Sequence, residues 1–178
     1  MTDQLSAQDW LDQGLKTLAT EGVFALKAEP LAKAMGVSRG SFYWHFADIG
    51  AYHAAILKHW REIAAEQVIA GLEATPDPER PIRLLLRQAF SARLALEKAV
   101  RSWASFDAAA RSEVQAIDRR RLSYLVELLG RAGFSAETAE ARAQILYWAF
   151  VGYALSDKPL SKTQQQKVLE ELFAFAAP

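Results

Sequence analysis

The feature that most constrains this chain is a short segment, residues 36–46, which reads Gly-Val-Ser-Arg-Gly-Ser-Phe-Tyr-Trp-His-Phe. Gly36 favours a sharp turn, because glycine adopts left-handed backbone conformations at no steric cost. Ser38 suits the N-cap of a helix that follows at once. At about 100° per residue along that helix, Phe42 and Phe46 lie on one side. The segment therefore predicts a tight turn and a short helix with one buried aromatic side.

The outer side of the same predicted helix carries groups of a different kind. Gly40, Ser41 and Trp44 lie roughly opposite the phenylalanines. Tyr43 lies at the flank, and Arg39 in the first turn can reach a guanine edge or a phosphate. Small residues let such a helix approach another surface closely. This arrangement is typical of a helix-turn-helix, whose second helix enters a DNA major groove.

The rest of the chain predicts helices as well. Ala, Leu, Glu and Arg dominate, and no stretch alternates apolar and polar residues as a half-buried strand does. We expect an all-α protein with about nine helices. Their predicted ranges are 6–20, 29–35, 39–46, 48–72, 81–100, 101–110, 112–131, 136–155 and 161–176.

A proline-rich stretch, residues 74–81, is the clearest break in the chain. Three prolines in six residues forbid a continuous helix there. We expect an N-terminal three-helix helix-turn-helix domain, residues 1–50, and a C-terminal helical bundle, residues 51–178. The long helix over 48–72 would join the two.

The charges do not by themselves indicate nucleic acid. The chain has 21 basic and 21 acidic residues, and residues 1–75 carry six Lys or Arg against nine Asp or Glu. A strongly basic chain attracts DNA through charge alone. Binding here would need locally placed cations and would lack strong non-specific affinity.

Several classes of protein are excluded or disfavoured by the composition. The chain has no cysteine, which excludes disulfides, thiolate catalysis and cysteine-ligated metals. Its N-terminus lacks the basic and apolar blocks of a signal peptide, and no apolar run approaches the roughly 18 residues of a membrane span. We expect a cytoplasmic protein without a membrane segment.

No catalytic or metal-binding pattern stands out. The histidines, His45, His53 and His59, lack the three- or four-residue spacing of helical metal ligands. We find no glycine-rich phosphate loop and no nucleophile elbow. Residues 119–121 are three arginines that fan around a helix, so we interpret them as solvated or ion-paired. We expect no enzyme activity, no metal and no cofactor.

The motif resembles the TetR (tetracycline-repressor-like) family of transcriptional regulators over about residues 8–60. The resemblance rests on Gly-Val-Ser-x-Gly-Ser-x-Tyr-x-His-Phe after a helix that contains Leu-Ala-x-x-Met. It implies base contacts from some residues of the second helix and phosphate contacts from others. The base-contacting positions are Arg39, Gly40, Ser41 and Trp44, and the phosphate-contacting positions are Tyr43 and His45.

Two positions depart from the family pattern. Ile49 stands where the family commonly has a lysine that pairs with a phosphate. Ala28, followed by Glu29, stands where a threonine or serine usually touches the DNA backbone. These departures predict weaker or more salt-sensitive binding, or cations recruited elsewhere, such as Lys27 or Lys33.

The second half carries many large apolar residues, most of which must form a bundle core. The resemblance adds an effector pocket between these helices, suited to a small apolar or aromatic molecule. We expect four aromatic residues with polar neighbours or polar groups of their own to line it. They are Trp103, Phe106, Tyr124 and Tyr147.

The last two helices are expected to form the surface of a homodimer. One predicted stripe consists of Ala139, Ala143, Leu146 and Phe150, and the other of Leu169, Leu172, Phe173 and Ala176. A dimer would place two recognition helices about 34–36 Å apart on a palindromic double-stranded DNA operator.

Taken together, these features predict a ligand-responsive, DNA-binding transcriptional repressor. Two alternatives stay open. One is a helical interaction protein of the same fold whose DNA binding is weak or lost. The other is an enzyme on a helical bundle, which would require a buried carboxylate or histidine cluster.

Overall fold

Every regular element of this protein is a helix in the ranges that its computed structural model describes, residues 5–74, 80–91, 94–158 and 160–178. For Arg80 and Ser91 the structure describes the backbone but not the side chain. The α-helices are α1 (Ala7–Glu21), α2 (Ala28–Ala34), α3 (Arg39–His45), α4 (Ile49–Arg61), α5 (Gln67–Glu73), α6 (Arg80–Ser91), α7 (Ala95–Ala104), α8 (Ala108–Arg131), α9 (Ala136–Leu155) and α10 (Lys162–Phe175).

A 3₁₀ turn, Val23–Ala25, follows α1, and a π turn, Glu62–Glu66, joins α4 to α5 without a break. The described chain thus has nine continuous helices, which confirms the predicted all-α class. None of these helices is long and apolar enough to span a membrane.

Local capping chemistry explains where several helices begin. The side chains of Ser6, Ser135 and Ser161 each accept a hydrogen bond from the backbone N–H three residues later. Asp48 does the same for Ala51 at the start of α4. Such caps satisfy N–H groups that have no partner inside the helix.

Between residues 80 and 131 the predicted boundaries were wrong. A single helix was expected over 81–100, but α6 ends at Ser91 and α7 begins only after Leu94, whose φ and ψ are −92° and 22°. No glycine or proline marks this break in the sequence. The two helices belong to different compact units, so tertiary packing interrupts a locally helical sequence.

The chain forms two compact units. Unit 1 contains the described residues up to Ile63 and the segment Leu94–Gln115. Unit 2 contains the described residues within Ala64–Arg93 and Ala116–Pro178. Most of the proline-rich stretch expected to separate two domains lies outside the described residues, and the functional division at residue 50 stays a prediction.

Unit 1 is built around a close contact between α1 and α4. A methyl group on Gly14 would lie only 2.1 Å from the Tyr52 hydroxyl and 2.4 Å from Ile56 Cδ1. The absence of a side chain at Gly14 therefore lets Tyr52 donate its hydroxyl to the Trp10 carbonyl at 2.7 Å. Helix α7, which is distant in sequence, packs on α1 in the same unit.

Unit 2 has its own core, in which α6 contacts α5, α9 and α10. The stripes predicted to form a dimer surface belong to this core. Six of their residues are buried in it, and Phe150 and Leu172 pack against it. The assignment of the six buried residues to an interface was wrong, because these faces of α9 and α10 pack into the interior of their own unit. Phe150 and Leu172 are only partly buried, so their place in an interface stays a prediction.

Two of the three consecutive arginines of α8 bind the π turn through a hydrogen-bonded contact and an ion pair. Arg121 donates to the carbonyl of Ala64 from Nε and Nη2, at 3.3 and 3.0 Å. Arg120 forms an ion pair with Glu66 at 3.4 Å. A π turn is rare and displaces backbone carbonyls from regular α-helical bonding, so an external donor stabilises it.

We expect Gly14→Ala to destabilise the protein by about 1–3 kcal/mol, because the added methyl group overpacks the buried contact with Tyr52. Gly71→Ala is the matched control, since an added methyl group there would meet nothing within 4 Å outside its own helical backbone, and alanine favours the helix. Urea unfolding of both variants measures the difference. Equal stabilities would contradict the close contact.

Candidate nucleic-acid interface

The turn between α2 and α3 is a compact hydrogen-bonded reversal. Gly36 has φ 69°, the left-handed conformation that favours glycine. The Gly36 N–H donates to the Lys33 carbonyl at 3.2 Å, and the Val37 N–H donates to the Ala32 carbonyl at 3.0 Å. Helix α2 therefore ends abruptly and α3 leaves in a new direction while remaining in contact with α2.

The inner side of α3 packs against aromatic residues of the two neighbouring helices. Phe42 is fully buried, and its ring meets Trp10 of α1 edge to face at 5.3 Å and Tyr52 of α4 at 5.1 Å. Phe46, also buried, meets the Tyr52 ring at 4.8 Å. These rings hold α3 between α1 and α4, which confirms the predicted core side of the segment.

Tyr52 is the polar member of this aromatic cluster. Burial raises the pKa of its phenol well above the ordinary value. Its hydroxyl remains neutral and donates to the Trp10 carbonyl, so α1 and α4 are linked at the point where α3 rests on both.

The outer side of α3 is open. Trp44 is 83% exposed and Tyr43 is 47% exposed, although both are large aromatic residues. Arg39 and Gly40 are exposed too, whereas Ser41 and His45 are half-buried. Two adjacent exposed aromatic residues form a small apolar patch beside a charged side chain, and such patches are found at contact surfaces.

The fold of unit 1 does not require a glycine at position 40. A methyl group at this position would lie 3.6 Å from Ser38 Oγ, an ordinary contact, and would otherwise meet open space. Its backbone does not adopt a positive φ. Glycine inside a helix costs about 1 kcal/mol relative to alanine. The missing side chain thus leaves room for a group outside this unit.

Arg39 and Tyr43 form a pair one helical turn apart. Arg39 Nη2 donates to the Tyr43 hydroxyl at 3.1 Å, and the guanidinium carbon lies 5.5 Å from the ring centre. This hydrogen bond is the main cause of a raised pKa of Arg39. The sequence reasoning missed the pair, although the i, i+4 spacing that permits it is visible in the sequence.

The residues flanking α3 offer fewer polar groups. Ser38 occupies the N-cap of α3, but its side chain makes no capping hydrogen bond, contrary to the prediction. Ala28 is buried at the start of α2, and Ile49 is partly exposed at the start of α4. Lys27 and Lys33 are exposed at the two ends of α2, where they are available to an anionic partner.

The four predicted pocket residues are divided between the two units. Trp103 is buried in unit 1 edge to face with His53, and Phe106 is 56% exposed and stacks on Phe24 of the 3₁₀ turn at 5.6 Å. Tyr124 and Tyr147 are buried in unit 2. Their role at a ligand site stays a prediction.

The two buried tyrosines of unit 2 donate to carboxylates. The Tyr124 hydroxyl lies 2.6 Å from Glu73 Oε1, and the Tyr147 hydroxyl lies 2.5 Å from Asp118 Oδ1. The hydrogen bond from Tyr124 lowers the pKa of Glu73, and burial raises the pKa of Tyr124. The rings of both tyrosines are therefore buried in unit 2, while their hydroxyls reach carboxylates that are exposed at Glu73 and half-buried at Asp118.

Two of the three histidines have separate hydrogen-bonding partners. His53 Nε2 lies 3.1 Å from the Leu26 carbonyl, and His59 Nε2 lies 3.0 Å from Asp12 Oδ1. In the described ranges, no three histidine, aspartate or glutamate side chains are grouped as metal ligands would be.

Comparison with known families supports a DNA-binding role. Residues 11–51, which include the helix-turn-helix with Phe42 and Phe46, match the family described as bacterial regulatory proteins, tetR family. No curated protein matches the sequence significantly.

Solved structures share the fold over nearly the whole chain. One is a protein from Saccharomonospora viridis that is assigned as a transcriptional regulator and was solved in complex with choline. It is 12% identical to this chain, with a TM-score of 0.74, and the match covers 94% of this chain and 95% of that protein. Another, from Rhodococcus sp. and assigned as a TetR-family regulator, has 16% identity, a TM-score of 0.71 and coverages of 96% and 97%. BioQ, solved with its natural double-stranded DNA operator, has 20% identity, a TM-score of 0.54 and coverages of 98% and 99%.

We expect Tyr52→Phe to lower stability by about 1 kcal/mol at neutral pH, because the bond to Trp10 is lost. Above about pH 10 the unfolded chain loses the Tyr52 proton while the folded chain keeps it. The stability that the wild type gains from this phenol is therefore complete below pH 10 and declines at higher pH, by about 1.4 kcal/mol per pH unit. Urea titrations from pH 8 to 11 should show the two proteins converging, and a constant difference would contradict this assignment.

Proposed function

We propose that this chain, whose residues 11–51 match the tetR family of bacterial regulatory proteins, is a transcriptional repressor that binds a palindromic operator as a homodimer. Small-molecule binding in unit 2 would control its affinity for DNA. It is a regulator and not an enzyme. Access to an operator requires the compartment of the chromosome, so the proposal places the protein in the cytoplasm.

The outer face of α3 is the observation that carries this proposal. It combines an exposed tryptophan, an arginine and a glycine whose missing side chain serves no contact in its own unit. A major groove admits an α-helix, and close approach brings side chains to the base edges. Arg39, Gly40, Ser41 and Trp44 would face the bases, while Tyr43, His45 and Lys33 would contact phosphates.

Electrostatics limit how such binding can work. The whole chain has no formal net charge, so long-range attraction to DNA is weak. Ile49 and Ala28 cannot supply charged or hydroxyl contacts to phosphates. Binding would therefore depend on shape, on base contacts and on the paired occupation of two half-sites, with few counterions released.

Dimerisation through α9 and α10 is supported by the outward faces of these helices. Ile145 is 48% exposed and Trp148 is 66% exposed on α9, and Val168 is exposed on α10. A groove between the two helices is lined mainly by apolar side chains, including Leu172 and Phe175. An apolar patch on adjacent helices suits a two-fold, four-helix contact.

The proposed regulation is a population shift. A small apolar or aromatic effector bound in unit 2 would favour a spacing of the two DNA-binding units that misfits the operator. The continuous helix from α4 through the π turn to α5 passes from one unit to the other and would carry this change.

The proposed function is tested by selecting duplexes from a random library with the purified wild-type protein. We expect enrichment of an inverted repeat with half-site centres about one helical turn apart. Binding to this selected duplex and to a scrambled duplex is then measured across salt concentrations. Failure to enrich any sequence would overturn the proposal.

A second candidate function is an interaction protein that keeps the fold without binding DNA. The exposed apolar Ile49 at the start of α4 favours it, because this side chain offers a contact to protein but not to phosphate. In that case the random library would yield no enriched sequence, and no salt-dependent binding to random duplexes would be measured.

We expect Gly40→Ala to have opposite effects on stability and on DNA binding. Alanine favours the helix and meets open space, so stability should rise by up to about 1 kcal/mol. The methyl group would obstruct close approach to the groove, so affinity for the selected duplex should fall about tenfold or more. Gly71→Ala, in α5, is the control that changes stability without changing affinity.

We expect Ile145→Glu to separate the dimer, because it places a charge in an apolar contact. Sedimentation should show a monomer, and binding to the selected inverted repeat should weaken by at least about 100-fold, through loss of the linked half-site. Ser123→Glu adds the same charge at an exposed position of α8 and should leave both unchanged. If the Ile145→Glu protein stayed dimeric, the dimer interface would lie outside this apolar patch.

A further inference from the structure

We propose that Tyr43 is a positioning residue for Arg39, and that the two side chains read one guanine of the operator as a unit. This inference rests on the proposed function and names the base and the positioning contact at the same site. It assigns Tyr43 a role in specificity besides the phosphate contact expected of it.

The two side chains are placed to act together before any DNA is present. They are four residues apart on α3, so they lie on the same side of the helix. Side chains in a helix lean towards its N-terminus, so the ring of Tyr43 lies back towards Arg39. The hydrogen bond of 3.1 Å and the guanidinium beside the ring restrain Arg39 at two points.

This restraint matters because a free arginine side chain is costly to order. Fixing an arginine side chain removes most of the rotamer entropy of a long, flexible group. A side chain that is already oriented in the free protein loses less of this freedom when it binds. Tyr43 therefore favours a defined direction of the guanidinium over the many directions that Arg39 could otherwise adopt on an exposed surface.

The remaining donors of Arg39 suit guanine. A guanidinium has five N–H donors in a fixed plane, and the bond to Tyr43 uses one of them. The others can make the bidentate contact with guanine O6 and N7, the commonest specific contact of arginine in the major groove. The Tyr43 hydroxyl accepts from Arg39, so its own O–H stays available for a phosphate.

The neighbouring charge at Glu29 is the competing influence on Arg39. Its Coulombic effect on the pKa of Arg39 is smaller than that of the Tyr43 hydrogen bond. Glu29 lies on α2 and has no hydrogen bond to Arg39 among the described contacts, so it attracts the guanidinium without fixing its direction. Glu29→Gln is therefore the control for a change of charge without a change of orientation.

The test uses the duplex that the wild-type protein selects from a random library. Each guanine in turn is replaced by 7-deazaguanine, which lacks the N7 acceptor, or by inosine, which keeps O6 and N7. We expect one guanine per half-site at which 7-deazaguanine weakens wild-type binding about five- to tenfold and inosine has little effect. Arg39→Ala should abolish this sensitivity.

The Tyr43 variants then test the positioning role. Tyr43→Ala should lower the preference for guanine nearly as much as Arg39→Ala, and the double variant should lose no more than either single variant. Tyr43→Phe keeps the ring but not the oxygen, so we expect it to retain an intermediate preference. Glu29→Gln should strengthen binding to all duplexes equally and leave the preference unchanged.

The outcomes separate this inference from the proposed function. If no duplex is enriched, the proposed function itself fails. If a duplex is enriched but the Tyr43 variants weaken every sequence uniformly, Tyr43 only contacts phosphates and the inference is overturned. Strictly additive losses in the double variant would also overturn it. Arg39→Ala and Glu29→Gln change exposed side chains, so both should unfold at nearly the same urea concentration as the wild type. Tyr43→Ala also removes an edge-to-face contact with the buried Phe42. Tyr43→Phe keeps that ring contact, so its loss of guanine preference separates positioning from stability.

Discussion

The contact between α1 and α4 at Gly14 is the constraint on which the DNA-binding unit depends. It brings the Tyr52 hydroxyl to the Trp10 carbonyl, and the rings of these two residues then form the surface on which Phe42 rests. A side chain at Gly14 would separate the two helices and leave Phe42 without its matching contacts. The orientation of α3 is thus set by residues on the two helices beside it.

The same unit explains why α3 can present an unusual outer face. Its buried side is anchored by the aromatic cluster, so the opposite side can carry an exposed Trp44 and an unfilled position at Gly40 without loss of the fold. These features cost stability in the isolated unit and become useful only against another surface. The hydrogen bond between Arg39 and Tyr43 adds order to that face, as the proposed reading of a guanine requires.

Much of this site was predictable from local sequence. The turn at Gly36 and the buried phenylalanines follow from glycine conformation and the helical period. The role of Gly14 was not predictable, because the residue that requires it, Tyr52, is 38 positions away. The dimer stripes were misassigned for a related reason: an apolar stripe shows that a helix face is buried, but not which surface covers it. Here the covering surface is the core of unit 2.

The sequence by itself determined the helical class, most of the caps and the two sides of α3, because each depends on residues within one or two helical turns. Only the tertiary structure decided that α7 belongs to the same unit as α1, that α4 and α5 meet in a π turn held by Arg121, and which faces of α9 and α10 remain exposed. These outcomes depend on packing between residues tens of positions apart. Local sequence patterns do not predict such contacts, because the same spacing of apolar residues allows a helix to pack against several different helices.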